Sequence, residues 1–559
     1  MEKELYSHFF LDKSKLDPTL FDLYPLDWKK LKHKFPSKFN YKTKHPNYLS
    51  KHFVQQDLEI TQKYLKKVQK LETLKPTLKS SLPLKVFKYY LQSDLEGYKH
   101  SYELFPISQV DNPYLNFAEE ASGKSYYVFN TIQDFKDFLE KTNEFRFYSQ
   151  TLRDRLKEGL EKKLTISKCI IEKVIEQLED ILKNKPYHHP KAPKSNPDYN
   201  AELDCLFGEE VKKTLQFLQD TYLHQARRTV GYGAIDPDMY LHAARSEVTL
   251  PQVKIEDLYQ IGLQEVHKVD HKMSKILEKL LGKKFKNRSE YVKARQAYEK
   301  DPKNFFQTAP EALKKYQETR QEIQKTIIKS QFKGLKISHD FTIKPVPDHN
   351  ADYHSAYYLE PNQDLSTKGT FFLNTKNPKL LARNEVLALC LHEGNPGHHF
   401  QLTHKLDHLN SLPEYIKIYP GLTAYIEGWG LYCETLGDYE GNEGLYQKYG
   451  QLKMEMLRSL RLVVDTGIHY YGWSLSKTKK YFLKYLDDSE ANIDKELLRY
   501  AADPGQALAY KMGQLAFLDL QKSFLEKGKT LNQFHLECFK KGELPLFLLK
   551  EELLNTTLI

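Results

Sequence analysis

Cysteine is scarce in this chain, with five residues in 559. The five form no CxxC pair and follow no regular spacing, which argues against a disulfide framework and against a zinc site built from thiolates. A reducing compartment is therefore expected. The cysteines are Cys169, Cys205, Cys390, Cys433 and Cys538.

Long apolar runs are also missing. No stretch reaches the about 18 uninterrupted apolar residues that indicate a membrane span, and the first residues, MEKELYSHFFLDKSKLDP, lack the apolar segment of a signal peptide. We therefore expect a soluble cytoplasmic protein without a membrane partner.

No single sign of charge dominates the chain. The 84 Lys and Arg residues are interleaved with 74 Asp and Glu residues, so the net charge of +10 is not gathered into a basic arm. Solvated helix faces or a lysine-rich proteome produce the same balance. We expect no nucleic-acid partner.

Helical periodicity, in contrast, is abundant. Apolar residues recur at spacings of three and four in QQDLEITQKYLKKVQKLETL, from Gln55, and in ISKCIIEKVIEQLEDILKNK, from Ile166. This spacing is typical of amphipathic helices that bury one stripe. The proline-rich PYHHPKAPKSNPDYN, from Pro186, then predicts a linker or surface loop. The length suits one large domain or two closely packed ones, and we predict a mainly α fold with an N-terminal helical region over residues 1–199.

Two short aromatic-rich segments are the main strand signals. SAYYLEP (Ser355 to Pro361) and TFFLN (Thr370 to Asn374) are bounded by turn-forming residues and predict a small hairpin or sheet edge. The simpler interpretation is a structural hairpin. Beside a metal site, however, a free strand edge can pair with an extended peptide, which makes Tyr357 and Tyr358 candidate substrate-binding residues.

The segment LALCLHEGNPGHHFQL, from Leu387, resembles a zinc-hydrolase signature with an altered turn. In the usual arrangement two histidines four residues apart on one helix reach the same ion, but the fourth residue after His392 is Pro396. A proline and a glycine allow two extra residues to bulge outward before the next turn resumes. His398 would then be the second zinc ligand, with His399 as the alternative.

A catalytic zinc site needs a third protein ligand and one position for water. The segment AYIEGWGLYCETLGD supplies Glu427 among aromatic and aliphatic neighbours that indicate burial, and a buried carboxylate is costly unless it is paired or bound to metal. Glu427 is the predicted ligand, and Glu434 is expected behind it. Each motif alone has an ordinary alternative, as a chance His-Glu pair, a helix cap or a core helix with one paired acid.

Four ordered blocks carry a family resemblance: HEGNPGHHFQ, EGWGLYCE, VVDTGIHYYGW and DPGQALAYKMGQL. Together with the upstream IEDLYQIGLQEVHKVDHKM, they resemble the family called domain of unknown function 885. That family is similar in arrangement to gluzincin metallopeptidases such as thimet-type oligopeptidases and thermostable carboxypeptidases. The resemblance implies a large helical zincin-like fold over residues 200–559, with a small sheet beside a metal site in a deep channel. In the related peptidases a glycine precedes the second zinc histidine, and the pair Gly397-His398 therefore supports His398 as that ligand.

The resemblance also implies roles for residues nearer the C-terminus. Asp465 would orient His469, four residues on, so that His469 stabilises an oxyanion. Tyr510 would donate a second hydrogen bond to the oxyanion, although a packed core tyrosine is an equal alternative. Arg458 or Arg461 would bind a substrate carboxylate if either faces the channel, and would otherwise be an ordinary helix charge.

These observations predict a zinc-dependent peptidase of oligopeptides, either a carboxypeptidase or an oligopeptidase, that binds one Zn²⁺ ion. His392, His398 and Glu427 would hold the ion, and Glu393 would act as general base toward the attacking water. Two alternatives stay open at this point, a zinc hydrolase of a non-peptide amide or ester and a non-catalytic helical binding protein.

Overall fold

The computed structural model describes residues 1–193, 198–347, 356–362, 367–419, 421–487 and 489–554. Within them the protein is mainly helical with one small sheet, as predicted. It divides into two compact units, the first made of residues 1–242, 413–420 and 501–503 and the second of residues 243–412, 421–500 and 504–559.

The first unit is built from helices of very different length. Its α-helices are α1 Glu2–Leu16, α2 Leu20–Leu23, α3 Pro25–Leu31, α4 Lys51–Leu74, α5 Leu82–Gly97, α6 Pro113–Ala121, α7 Ile132–Lys162, α8 Lys168–Asn184, α9 Tyr199–Leu203, α10 Glu209–Phe217 and α11 Leu223–Gln225, followed by α12 Pro237–Val248, which begins in this unit.

Both helices predicted from periodicity are present in this unit. On α4 the buried residues Thr61, Tyr64, Val68 and Leu71 follow spacings of three and four, which places them on one face. The long helix α8 likewise buries a stripe of isoleucine, valine and leucine. Part of the predicted loop from Pro186, residues 194–197, lies outside the described residues.

The second unit contains the motifs singled out in the sequence. Its α-helices are α13 Ile255–Leu281, α14 Arg288–Glu299, α15 Ala309–Ile323, α16 Lys329–Gln331, α17 Val386–Glu393, α18 His398–Asp407, α19 Thr423–Cys433, α20 Gly441–His469, α21 Leu475–Leu483, α22 Glu490–Ala502, α23 Gln506–Glu526, α24 Leu531–Lys541 and α25 Leu546–Leu554, of which α22 ends outside this unit.

The long helix α20 is the centre of this unit. It is buried along most of its length and packs against α13, α17 and α23, while α19 packs against α23. The crossing of α19 and α23 is close, because a side chain on Gly428 would meet the Cα of Gly513 at 2.4 Å. This packing brings α17, α19 and α20 together at one place.

The sheet has three strands in the order β1, β3, β2, with ranges Phe341–Pro345 for β1, Ala356–Leu359 for β2 and Gly369–Leu373 for β3. The predicted hairpin strands correspond to β2 and β3, which pair antiparallel with Tyr358 opposite Phe371. Strand β1 was not predicted and pairs parallel with β3. Ser355, in the first predicted strand, lies outside the described residues.

No helix among the described residues is long and apolar enough to cross a membrane.

Candidate metal centre

A turn between α17 and α18 separates His392 and His398, in place of the usual four-residue spacing of two zinc histidines on one helix. Helix α17 ends at Glu393, α18 begins at His398, and the Asn395–Pro396 peptide bond between them is cis. Gly397 lies so close to the last turn of α17 that a Cβ atom there would be 1.9 Å from the carbonyl oxygen of His392. The indole Nε1 of buried Trp429 donates to the carbonyl oxygen of Pro396 at 2.8 Å, which fastens the turn to α19.

Three side chains converge where α17, α18 and α19 meet. The imidazole centroids of His392 and His398 are 4.6 Å apart, although six residues separate them in sequence. Glu427 Oε2 lies 3.3 Å from Nε2 of His392 and 3.5 Å from Nε2 of His398. One ligand atom from each of the three lies within 4.8 Å of the others, and both histidines are buried.

The spacing of these atoms suits a shared cation. Two ligand atoms at about 2.0–2.1 Å from zinc and at a tetrahedral angle are about 3.3–3.4 Å from each other. Glu427 Oε2 is buried and makes no hydrogen bond despite its two imidazole neighbours, so the three atoms point toward a common centre. Two imidazoles and one carboxylate are a donor set that zinc accepts in hydrolases, and the residues therefore fit the predicted ion.

Glu434 lies directly behind this group. Its side chain is fully buried, and its Oε1 accepts a hydrogen bond from Nδ1 of His392 at 2.9 Å. A carboxylate on the far nitrogen of a metal-binding histidine fixes the tautomer and the ring orientation. Burial alone would lower the pKa of His392, but the neighbouring carboxylates of Glu427 and Glu434 raise it to about 10.

His399 is held by other partners. Its Nδ1 is 2.8 Å from the Tyr358 hydroxyl, and its Nε2 is 3.1 Å from the carbonyl oxygen of His339. Burial lowers the pKa of His399 to about 4. The structure therefore groups His398, rather than His399, with His392 and Glu427, and it uses His399 to connect α18 to the sheet.

The proposed general base lies next to His392 in sequence, and the proposed hydroxyl donor lies on α23. Glu393 follows His392 at the end of α17 and is 8% exposed. Tyr510 on α23 is half-buried, and its hydroxyl is 3.4 Å from the amide nitrogen of Gln506. Burial raises the pKa of Tyr510, and the nearby carboxylate of Glu427 raises it further.

The two arginines on α20 have separate environments. Nη2 of Arg458 is 4.0 Å from Oε1 of Glu434, so this cation lies beside the carboxylate that contacts His392. The Arg461 guanidinium covers the Tyr510 ring, 4.4 Å from its centroid. Of the two predicted substrate-binding arginines, only Arg461 contacts another residue predicted to meet the substrate.

The hydrogen bonds of Asp465 and His469 lead toward the segment before α23. Nε2 of His469 is 2.8 Å from the carbonyl oxygen of Tyr500, and Oδ2 of Asp465 accepts from the backbone N–H of Gly505 at 3.3 Å. Both side chains are buried. These contacts give no support to an oxyanion role for His469, which stays a prediction.

Strand β2 presents the two predicted tyrosines differently. Tyr357 stacks on Phe372 of β3, with ring centroids 5.0 Å apart. Tyr358 instead contacts His399, as described above. A substrate contact for either residue stays a prediction.

Sequence reasoning missed Gly430. An added Cβ atom there would be 2.8 Å from Cε1 and 3.0 Å from both nitrogens of the His392 ring. Gly430 lies three residues after Glu427 on α19, which puts the two on the same side of that helix. This spacing in EGWG was the available signal.

Comparison with known proteins gives a family and a fold. Residues 37–553 match the family described as bacterial protein of unknown function DUF885. A crystal structure described as a "putative lipoprotein" from Colwellia psychrerythraea is similar with a TM-score of 0.83 and 20% identity, covering 99% of this chain and 98% of the other. A second "putative lipoprotein", from Shewanella oneidensis and of unknown function, has a TM-score of 0.74 and 15% identity, covering 99% and 100%.

The two likenesses are below 25% identity and therefore concern the fold alone. No curated protein matches the sequence. The family match spans most of the chain, and it includes the helices that carry His392, Glu427 and Tyr510. The chain is a member of the DUF885 family.

Proposed function

We propose that this protein is a zinc-dependent peptidase that hydrolyses oligopeptides. The observation that carries the proposal is the convergence of His392 Nε2, His398 Nε2 and Glu427 Oε2 at separations suited to one tetrahedral ion. Glu434, on the outer nitrogen of His392, adds the carboxylate partner that metal-binding histidines commonly have.

Bound zinc would act as a Lewis acid and lower the pKa of a coordinated water from 15.7 to about 7. Glu393, next in sequence to a ligand, is the carboxylate proposed to accept the proton of the attacking water and deliver it to the leaving amine. Such proton transfer is typically worth about 10² to 10⁴ in rate. The Tyr510 hydroxyl would donate to the developing oxyanion, where loss of one donor typically costs about 10² to 10³.

Strand β2 supports a peptide as the substrate. It is an outer strand of the sheet, and the hydrogen bond between Tyr358 and His399 ties it to α18, the helix that begins with His398. An extended peptide can pair with a free strand edge through its backbone, whatever its side chains. This arrangement favours a peptide over a non-peptide amide or ester, which remains the second candidate class.

The test combines elemental analysis with hydrolysis of a peptide panel by the purified chain. We expect about one zinc per chain and peptide cleavage in the native protein, and bound zinc without cleavage in Glu393→Gln. Glu318→Gln is a matched control, because this glutamate is exposed and its nearest cation, Lys314, is 3.9 Å away. Equal turnover by Glu393→Gln and the native protein would reject the assigned base.

A protein that binds no zinc would reject the proposal as a whole. Cleavage of amides or esters without any cleavage of peptides would favour the second candidate class. A cytoplasmic location, expected from the sequence, stays a prediction, and fractionation of cells that express the full chain would test it.

A further inference from the structure

Two arginines and one glutamate form an ion cluster next to Tyr510, in which Arg461 is buried and the other two side chains are partly exposed. Nη2 of Arg461 and Nη2 of Arg499 each lie 3.1 Å from the same oxygen of Glu496. Nε of Arg461 also donates to the Tyr500 hydroxyl at 3.0 Å. This cluster, called here the arginine cluster, consists of Arg461, Glu496, Arg499 and Tyr500.

The arginine cluster holds one more positive charge than negative charge. Burial opposes ionisation of Glu496, yet Arg461 and Arg499 hold the pKa of its carboxyl well below the usual range, so Glu496 is ionised. One carboxylate therefore faces two guanidinium groups. Buried Arg461 shares its one carboxylate with Arg499, and incomplete compensation of a buried cation is costly, which favours binding of a second anion at this place.

One nitrogen of the cluster has no acceptor. Arg461 is 6% exposed, and its Nη1 is buried without a hydrogen-bond partner. Nearly all buried side-chain donors in proteins are paired, so a buried guanidinium N–H without an acceptor indicates a place for one. A carboxylate oxygen is the acceptor that matches guanidinium best in charge and geometry.

The position of the cluster connects it to the candidate metal centre. The Arg461 guanidinium lies over the Tyr510 ring on α23, and α23 crosses α19 closely at Gly428, the residue that follows Glu427. Neither side chain is sealed off, since Glu427 is 21% exposed and Tyr510 is half-buried. A substrate that reaches Glu427 would also meet Tyr510 and the Arg461 guanidinium behind it.

We propose that Arg461, with Arg499 beside it, binds the free C-terminal carboxylate of the peptide, so that the enzyme acts as a carboxypeptidase. This inference rests on the proposed peptidase function, because it names the substrate class of the same site. It assigns no such role to Arg458, whose guanidinium lies beside Glu434, the carboxylate that contacts His392.

The kinetic test uses the full chain loaded with zinc and three N-acetylated tripeptides. The first ends in Leu with a free carboxylate, the second is its C-terminal amide, and the third is an amide that ends in Asp. We expect kcat/KM for the free acid to exceed that for the Leu amide about 10- to 100-fold, as for loss of a charge-assisted hydrogen bond. Cleavage of the Asp amide as fast as the free acid would overturn the assignment to the C-terminus.

Arg461→Gln should lower the ratio of kcat/KM for the free acid to kcat/KM for the amide by the same factor, mainly through KM for the acid. Arg458→Gln is the matched control, one turn earlier on α20. At saturating zinc it should keep the native ratio of acid to amide. Arg461→Gln breaks a buried ion pair and could destabilise the fold, so Arg499→Gln serves as a second variant. The Arg499 side chain is 26% exposed, and its substitution should lower the ratio of acid to amide by a smaller factor.

A binding measurement separates this inference from the peptidase proposal. Calorimetry with the Glu393→Gln protein should detect N-acetyl-leucine but not N-acetyl-leucinamide, and the added Arg461→Gln change should abolish the signal. If no peptide is cleaved but the acid still binds in this way, the peptidase proposal fails and the carboxylate site stands. Equal binding of acid and amide, or no binding of the acid, would overturn the carboxylate site even if peptides are cleaved.

Discussion

Gly430→Ala is a direct test of whether the His392 ring is a metal ligand. The added Cβ atom would lie 2.8 Å from Cε1 of that ring, whereas ordinary contacts begin at 3.4 Å, so the ring must move by roughly half an ångström. Its outer nitrogen is held by Glu434 at 2.9 Å. Ligand distances in metal sites are fixed within about 0.2 Å, so this shift is too large for the site to absorb unchanged.

The expected effect is a loss of zinc affinity of about 10- to 100-fold, the range seen when the support of a metal ligand is disturbed. Folding should survive, because Gly430 lies inside α19 and alanine has the better helix propensity by about 1 kcal/mol. Competition with a chromophoric zinc chelator measures the affinity, and thermal unfolding of the metal-free protein checks the fold.

Gly97→Ala is a matched control. A Cβ atom there would be 3.1 Å from the ring of His242, a histidine of the first unit. It also disturbs an imidazole, although to a smaller degree, and should leave zinc affinity unchanged. Native affinity in a folded Gly430→Ala protein would refute the reasoning, since it would mean that the position of His392 does not matter to the metal.

Three further predictions concern the orientation of the His392 ring, the turn between α17 and α18, and the pH dependence of stability. Glu434→Gln should lower zinc affinity about 10- to 100-fold because His392 loses its orienting carboxylate, as chelator competition would show. Trp429→Phe should lower the free energy of unfolding in urea by about 1–3 kcal/mol, because the buried turn carbonyl loses its donor; an unchanged value would contradict this. Burial alone would raise the pKa of Glu455, but Lys511 lowers it to about 2 from 4.5. Because the pKa of Glu455 is lower in the folded state than in the unfolded state, this residue contributes about 3 kcal/mol of stability above about pH 4.5, and this contribution should be lost toward pH 2. In a plot of the free energy of unfolding against pH, Glu455→Gln should flatten the region between these two values.

Helices and the strand pair were predictable because their signals are local. The stripe on α4 appears in the sequence as spacings of three and four, and the aromatic segments of β2 and β3 are bounded by turn residues. Strand β1 was missed because FTIKP is short and pairs with a strand that follows it at a distance in the chain. Parallel pairing of this kind leaves no turn signal next to the strand.

The candidate ligands were predictable as a set, but their neighbours were not. Arg458 and Arg461 are three residues apart on one helix and equivalent by sequence, yet one lies beside Glu434 and the other over Tyr510. The structure also gives His469 a hydrogen bond to a backbone carbonyl that its helical spacing from Asp465 does not reveal.

The amino-acid sequence by itself determined the helical class, the short strands and the order in which His392, Glu393 and Glu427 occur. Only the tertiary structure decided that His398 lies beside His392 while His399 contacts the sheet. It also decided that the absence of a side chain at Gly430 leaves room for the His392 ring. The physical reason is that periodicity reports the burial of one element along its own axis. The partner of a side chain depends on where other helices cross it, and those crossings are set by packing between residues far apart in the chain.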